Sequence, residues 1–275
     1  MSDGTIPTAD DMLAFLDLEH IDGDLFRGRA GAWPNQRRTI YGGETAAQAL
    51  RAAAHTVPPD RVPHSLHGYF LRPGDPTQPV VFQVDRDRDG RSFSARRVAA
   101  MQRGEVIWEM TCSFHAREDG PQYVQPPQPG MAPPEESPAI PAPWCPLLDI
   151  RVPPRPDGGA SRPESVDRVW TRVVVPVPDD PIVHACLHAF ASDVGAGFGD
   201  LLIDGVPPGG PSIDHALWLH HPAPADDWVI WDCRPAKVGG HRGLYTGSAH
   251  DRQGNLVAML AQEMLLRPPR QEATP

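Results

Sequence analysis

The chain of 275 residues is short of cysteine, of basic residues and of long apolar runs, and each shortage closes off a class of protein. Cys112, Cys145, Cys186 and Cys233 are the only cysteines and form no C-x-x-C pair. They read as reduced thiols, neither a disulfide frame nor a zinc site, which fits a cytoplasmic protein. Lys and Arg total 25 against 35 Asp and Glu, giving a net charge of -10. A nucleic-acid partner wants a clustered basic face, so none is expected. No apolar run approaches the roughly eighteen residues that span a bilayer, so no membrane partner is expected either. The polar, acidic start from Met1 to Asp11 lacks the basic and then apolar order of a secretory signal.

Proline, in contrast, is abundant, at 34 residues, and fourteen of these fall between Pro121 and Pro163. Proline removes a backbone donor and fixes φ, so this stretch forms no regular helix or central strand. It reads as a semi-extended linker, residues 118–165, partly pinned by Trp144 and the Leu147–Leu148 pair. Segments of comparable size, 10–117 and 166–268, flank it.

The two flanks repeat at an offset of 149–150 residues. Val81 falls on Ile230, Phe82 on Trp231, Tyr69-Phe70 on Trp218-Leu219, and Pro73 on Pro222. Asp89-Gly90 falls on Gly239-Gly240, and Gly104-Glu105-Val106-Ile107 on Gly254-Asn255-Leu256-Val257. At the same offsets Asp193 matches Glu44 and Gln262 matches Cys112. Such a period marks a tandem duplication. Each half holds a short strand (Leu25 to Arg29; Trp170 to Val175), then a helix (Gly43 to Ala54; Pro181 to Ser192). Three or four longer strands of alternating or β-branched character follow, bounded by turns such as Asp89-Gly90, Arg103-Gly104 and Gln253-Gly254. Gly42-Gly43 ahead of the first, alanine-rich helix permits a tight strand-to-helix turn. The fold class is α+β, with one helix against an antiparallel sheet, twice.

The run His64 to Phe114, with Phe70-Leu71-Arg72-Pro73-Gly74-Asp75 and Asp89-Gly90-Arg91-Ser92-Phe93-Ser94-Ala95-Arg96-Arg97-Val98 as its specific blocks, closely resembles the first half of acyl-CoA thioesterase II. Ala191-Ser192-Asp193, Ile213-Asp214-His215 with Trp218, and Gln262-Glu263 followed by Arg267 resemble signature blocks of its second half. The resemblance implies a double hot-dog fold and hydrolysis of acyl-CoA thioesters by an activated water, with no cofactor, metal or covalent intermediate. It also implies a homo-oligomer, a dimer or tetramer. The family's catalytic Asp falls on Asp193 and its Gln on Gln262; its Thr falls on Ser212, a departure that keeps the hydroxyl but loses the rotamer-restricting methyl. Val194 to Gly210 is richer in glycine than the family pattern, which leaves acyl-chain preference open.

These side chains suit the chemistry. Asp193 can orient a water and take its proton, while the Ser212 hydroxyl and Gln262 amide fix its lone pairs towards the carbonyl carbon. Backbone N–H groups at a helix terminus of the same repeat are expected to hold the oxyanion. Substrate contacts are expected from Gly43 and Glu44 in the first repeat and from His215 in the Ile-Asp-His block. Arg91 and Arg97, on one strand face, are expected to pair with CoA phosphates. Each residue also has a plainer reading: Asp193 and Glu44 as helix-end acids, Ser212 as a cap, Gln262 as an exposed strand polar, the arginines as a solvated face. Four alternatives stay open. His184 and His188, four apart, could share a metal. Gly210-Pro211-Ser212-Ile213-Asp214 fails the G-x-S-x-G elbow only at its last position. A hot-dog hydratase wants a His about five residues after the Asp, where Phe198 stands. A double hot-dog that binds acyl-CoA or an acyl carrier without turnover has the same core.

Overall fold

The computed structural model describes residues 12–29, 38–121, 123–124, 126–127, 131–154, 167–195, 198, 206–207 and 209–267. The first repeat opens with a hairpin, β1 (Glu19–Asp22) and β2 (Leu25–Gly28), followed by helix α1 (Gly42–Ala54). Four long strands come next: β3 (Arg61–Phe70), β4 (Val80–Asp89), β5 (Phe93–Gln102) and β6 (Glu105–Ala116). The second repeat has β7 (Leu148–Arg151), β8 (Arg168–Val173), α2 (Pro181–Ala191), β9 (Asp214–Leu219), β10 (Val229–Gly239), β11 (Arg242–Asp251) and β12 (Leu256–Leu265). Alternation drives the strands. Along β5, Ser94, Arg96, Val98, Ala100 and Gln102 are buried while Phe93 and Arg97 face out, the period of two that a half-buried strand requires.

All twelve strands join one antiparallel sheet in the order β1-β2-β4-β5-β6-β3-β9-β12-β11-β10-β8-β7. Read outward from the β3–β9 seam, each strand of the first repeat has its counterpart in the second, so the duplication is a pseudo-twofold. Phe82 pairs with Ala100 and Trp231 with Ala249, each 149 positions apart. The bulges repeat as well, between Arg86 and Arg88 in β4 and between Pro235 and Lys237 in β10. The step to 150 falls in the β11–β12 hairpin, later than the sequence comparison puts it. Asp85–Arg97 and Arg234–Thr246 are still equivalent pairs at 149, which places Gly90, not Asp89, opposite Gly239.

The proline-rich connector supplies β7, an edge strand on β8, with Cys145, Leu147 and Leu148 buried beneath it. An edge is where proline-flanked strands are tolerated. The residues 155–165 lie outside the described ones. Among the described residues no helix is long and apolar enough to cross a membrane.

The helices lie side by side under the sheet. Nearly every side chain of α1 is buried, including Ala46, Ala47, Ala49, Leu50, Ala52 and Ala53. Small alanines let α1 fill the space between α2 and the sheet. Helix α2 starts at Pro181, capped by the Asp180 carboxylate, which accepts from the Ile182 N–H at 2.8 Å, a strong start signal. His188 on α2 is buried and donates from Nε2 to the Ala223 carbonyl at 2.8 Å. Burial pushes its imidazolium down to about 4 from an ordinary value of 6.5. Between these values the unfolded chain binds a proton that the folded one does not. Stability therefore holds above pH 6.5 and falls as pH drops towards 4, by up to about 3 kcal/mol for this group. Urea unfolding across that range should show a steep acid limb for the wild type and a flatter one for His188→Gln, which keeps the donor but does not titrate.

Candidate functional site

The N-terminus of α1 meets the C-terminus of α2. The Tyr41 hydroxyl donates to the Phe190 carbonyl at 2.8 Å, and the rings of Tyr41 and Phe190 meet edge to face at 5.0 Å. At the other end of the pair, Arg51 of α1 reaches Asp180 at 3.6 Å. Asp193 follows the C-cap of α2, Ser192, and its Oδ2 accepts from the Gly43 N–H at 3.1 Å. Tyr41, the N-cap of α1, makes no side-chain cap bond. The carboxylate from the other repeat takes that place, where exposed N–H groups and the helix dipole favour negative charge.

Asp193 is joined there by two more side chains. Gln262, buried on β12, donates from Nε2 to Asp193 Oδ1 at 3.1 Å and to Ser212 Oγ at 2.6 Å. Ser212 Oγ lies 3.5 Å from Asp193 Oδ1. The strand side is set by backbone bonds flanking Ser212: the Ile213 N–H donates to Glu263 O and the Leu265 N–H to Pro211 O, both at 2.8 Å. The three residues chosen from sequence thus converge, though they come from a helix end, a loop and a strand.

Asp193 and Ser212 open onto a cleft of about 470 Å³, whose other wall is first-repeat sequence: Ile40, Gly42, Thr45, Phe70, Ile107 and Trp108. Phe70 packs on Trp108 with ring centres 4.3 Å apart. This apolar wall beside a carboxylate, a hydroxyl and an amide can hold an acyl group next to an ordered water. Sequence reading missed the wall, because Ile40, Phe70 and Ile107 look like ordinary core positions. The helix N-terminus beside Asp193 is that of α1, in the first repeat.

The glycines have a different role from the one expected. Neither Gly42 nor Gly43 has positive φ, so no special turn requires them. Close approach does. A β-carbon at Gly42 would sit 2.7 Å from both Asp193 Oδ2 and the Phe70 ring, and one at Gly43 would strike the Phe190 carbonyl.

None of the five residues expected to contact substrate, Gly43, Glu44, Arg91, Arg97 and His215, lines this cleft. Glu44 is fully buried in the first turn of α1 and is not the counterpart of Asp193. Strands repeat at 149 positions, as Val80 to Val229, but the helices repeat at 139, as the N-caps Tyr41 and Asp180 do. The longer connection after α2 absorbs the difference: Arg96 bonds the Thr56 carbonyl as its counterpart Tyr245 bonds that of Gly195, so Ala54 is the residue opposite Asp193. Arg97 faces outward, paired with Asp85 at 3.1 Å. Arg91 stands in the β4–β5 hairpin, where its carbonyl accepts from Arg61 at 2.6 Å. Neither lines the cleft: Ala100 is the β5 residue beside Trp108, and 91–97 run away from it towards His115. Gly43 reaches Asp193 through its N–H. His215 is buried behind Gln262, its Nδ1 against Gln262 Oε1 and its Nε2 2.8 Å from Ser192 Oγ. Most of Val194 to Gly210 lies outside the described residues.

A second cleft, of about 720 Å³, occupies the pseudo-symmetric position; Pro63, His184, Leu219, His220 and His221 stand there where Ser212, Thr45, Phe70, Leu71 and Arg72 line the first. Cys112 replaces Gln262, and burial pushes its thiol up to about 12. Leu66 replaces His215. His184 and His188 line this cleft too, but His184 Nδ1 accepts from the Ala225 N–H at 3.1 Å. Among the described residues no group of three or more His, Cys, Asp or Glu is placed to hold a metal ion.

Two helices sheathed by one antiparallel sheet, related by an internal twofold, define a double hot-dog protein of the thioesterase kind. Sequence profiles agree: that of the acyl-CoA thioesterase N-terminal domain matches residues 29–115 and that of the C-terminal domain matches 118–266. Human acyl-coenzyme A thioesterase 8 is 35% identical over 92% of this chain and 87% of its own length. Acyl-CoA thioesterase 2 of Haemophilus influenzae is 30% identical over 93% and 96%. The crystal structure of acyl-CoA thioesterase II TesB2 from Mycobacterium marinum superposes with a TM-score of 0.80 at 37% identity, covering 95% of this chain and 98% of that one. The chain belongs to the acyl-CoA thioesterase family.

The helix contact behind the site can be tested without substrate. Gly43→Ala should lower the unfolding free energy by about 1–3 kcal/mol, as overpacking against backbone does, despite the better helix propensity of alanine. Denaturant unfolding reads this directly; an unchanged midpoint would contradict the close contact.

Proposed function

We propose that this acyl-CoA thioesterase cleaves its substrate with a water held by Asp193, Ser212 and Gln262. The observation that carries the reading is the single amide of Gln262, buried behind the cleft, bridging two residues of its wall, Asp193 Oδ1 at 3.1 Å and Ser212 Oγ at 2.6 Å. Asp193 takes a proton from the water as its oxygen bonds to the thioester carbonyl carbon. The resulting oxyanion faces the N-terminal turn of α1, where Gly42 lines the cleft and the helix dipole favours negative charge. Collapse breaks the carbon–sulfur bond, and the proton passes from Asp193 to the departing thiolate. The products are a carboxylic acid and CoA. The bond from Gln262 fixes the Ser212 hydroxyl, which offsets the missing threonine methyl.

The chain divides as 10–117, a connector of 118–165, and 166–268; the matched strand order of the two halves supports this division. Four buried free cysteines support a reducing, cytoplasmic setting. Tyr69 and Trp218, 50% and 44% exposed on the outer face of the central strands, support self-association into a dimer or tetramer.

Release of CoA from short, medium, long and aromatic acyl-CoAs, followed by a thiol reagent, tests the reading. Asp193→Asn should lower kcat by at least about 10²-fold with KM little changed. Ser212→Thr should preserve or raise activity; a large loss there would remove Ser212 from the site. Absence of turnover in the wild type, with acyl-CoA still bound tightly, would leave a binding protein instead.

A further inference from the structure

His215 is 1% exposed and never reaches the cleft, yet it touches the one residue that joins the site together. Gln262 has an amide NH₂ end that only donates and a carbonyl end that only accepts, and the Asp193 carboxylate only accepts. The NH₂ end must therefore face Asp193 and Ser212, where the distances are 3.1 and 2.6 Å. That leaves Gln262 Oε1 facing His215 Nδ1 and in need of a donor. Burial lowers the proton affinity of His215, more than Asp193 and Gln262 raise it, so the ring is neutral and has one N–H. That hydrogen belongs on Nδ1. Nε2 is then the acceptor, and the Ser192 hydroxyl 2.8 Å away supplies its hydrogen, turning from the Ala189 carbonyl that lies at the same distance.

We infer that His215 is a positioning residue for the thioesterase reaction: held as its Nδ1–H tautomer by Ser192, it fixes which end of Gln262 faces Asp193. The opposite tautomer would demand a flipped amide and set a carbonyl oxygen against the carboxylate. The chain Ser192–His215–Gln262 thus carries orientation from the end of α2 through β9 and β12 back to Asp193, one residue beyond Ser192. The pseudo-symmetric cleft, which has Cys112 for Gln262, has Leu66 where His215 would stand.

This inference rests on the assignment of Asp193, Ser212 and Gln262, so its test has one arm that does not depend on turnover. Nitrogen-15 spectra of the wild type, with the His215 signals identified by their loss in His215→Asn, should show a protonated Nδ1 and an unprotonated Nε2 at neutral pH. A protonated Nε2 would overturn the inference whatever the activity. In the kinetic arm, His215→Leu leaves Gln262 Oε1 without a donor and should lower kcat by on the order of 10²-fold, the loss that a misplacement of about 1 Å brings, with KM little changed. His215→Asn, whose amide puts an N–H near the place of Nδ1, should recover most of that loss. Equal kcat in wild type and His215→Leu, or equal losses in the two variants, would make His215 merely structural. Full activity in Asp193→Asn would instead remove the site assignment beneath it.

Discussion

The approach of two helix ends is the constraint on which the rest of this molecule depends. Where α1 begins, Gly43 has no side chain, and the Phe190 carbonyl at the close of α2 occupies the space that one would take. Because the approach is that close, Asp193 reaches the first turn of α1 and serves as its missing cap. The arrangement is head to tail, so the positive end of one dipole faces the negative end of the other. Arg51 and Asp180 pair across the opposite end. Helix α1, alanine-rich and largely buried, needs such close packing, since it has few large side chains with which to fill gaps.

From that contact the polar groups follow in order. Asp193 is anchored to backbone, Gln262 to Asp193, Ser212 to Gln262, and His215 to Gln262 from behind. In surroundings this dry a polar network is stable only when each member has a partner of the right sense. Here the anion at one end dictates donors and acceptors through the whole set. The apolar wall, Phe70 on Trp108, comes from the other repeat, so the cleft exists only where the two halves meet.

Much of this was legible in the sequence because it is local. The strands alternate, the repeat recurs at a nearly fixed offset, and Asp193, Ser212 and Gln262 sit in short recognisable blocks. What escaped depended on contacts between distant residues. Glu44 was paired with Asp193 because the strand offset was carried unchanged through a helix whose following connection differs in length. Arg91 and Arg97 were chosen for their charge, which Asp85 answers in the case of Arg97, and no local pattern says which end of β5 lies near the cleft. Gly43 was read as a turn residue because a glycine pair looks the same whether it is needed for φ or for room. His215 was read as touching substrate because burial is invisible in a tripeptide.

The internal twofold has a consequence for how such a molecule can change. When two identical chains pair about a symmetry axis, every substitution is made twice, and both clefts must keep the same residues. Fusing the halves lifts that rule. Cys112, Leu66 and Pro63 in the mate cleft show the freedom it gives: one cleft has lost the polar set while its framework of helix, bulges and hairpins persists. The first repeat still supplies the helix start and the aromatic wall beside Asp193. Its sequence is therefore held not by its own chemistry but by the shape it must present to its neighbour.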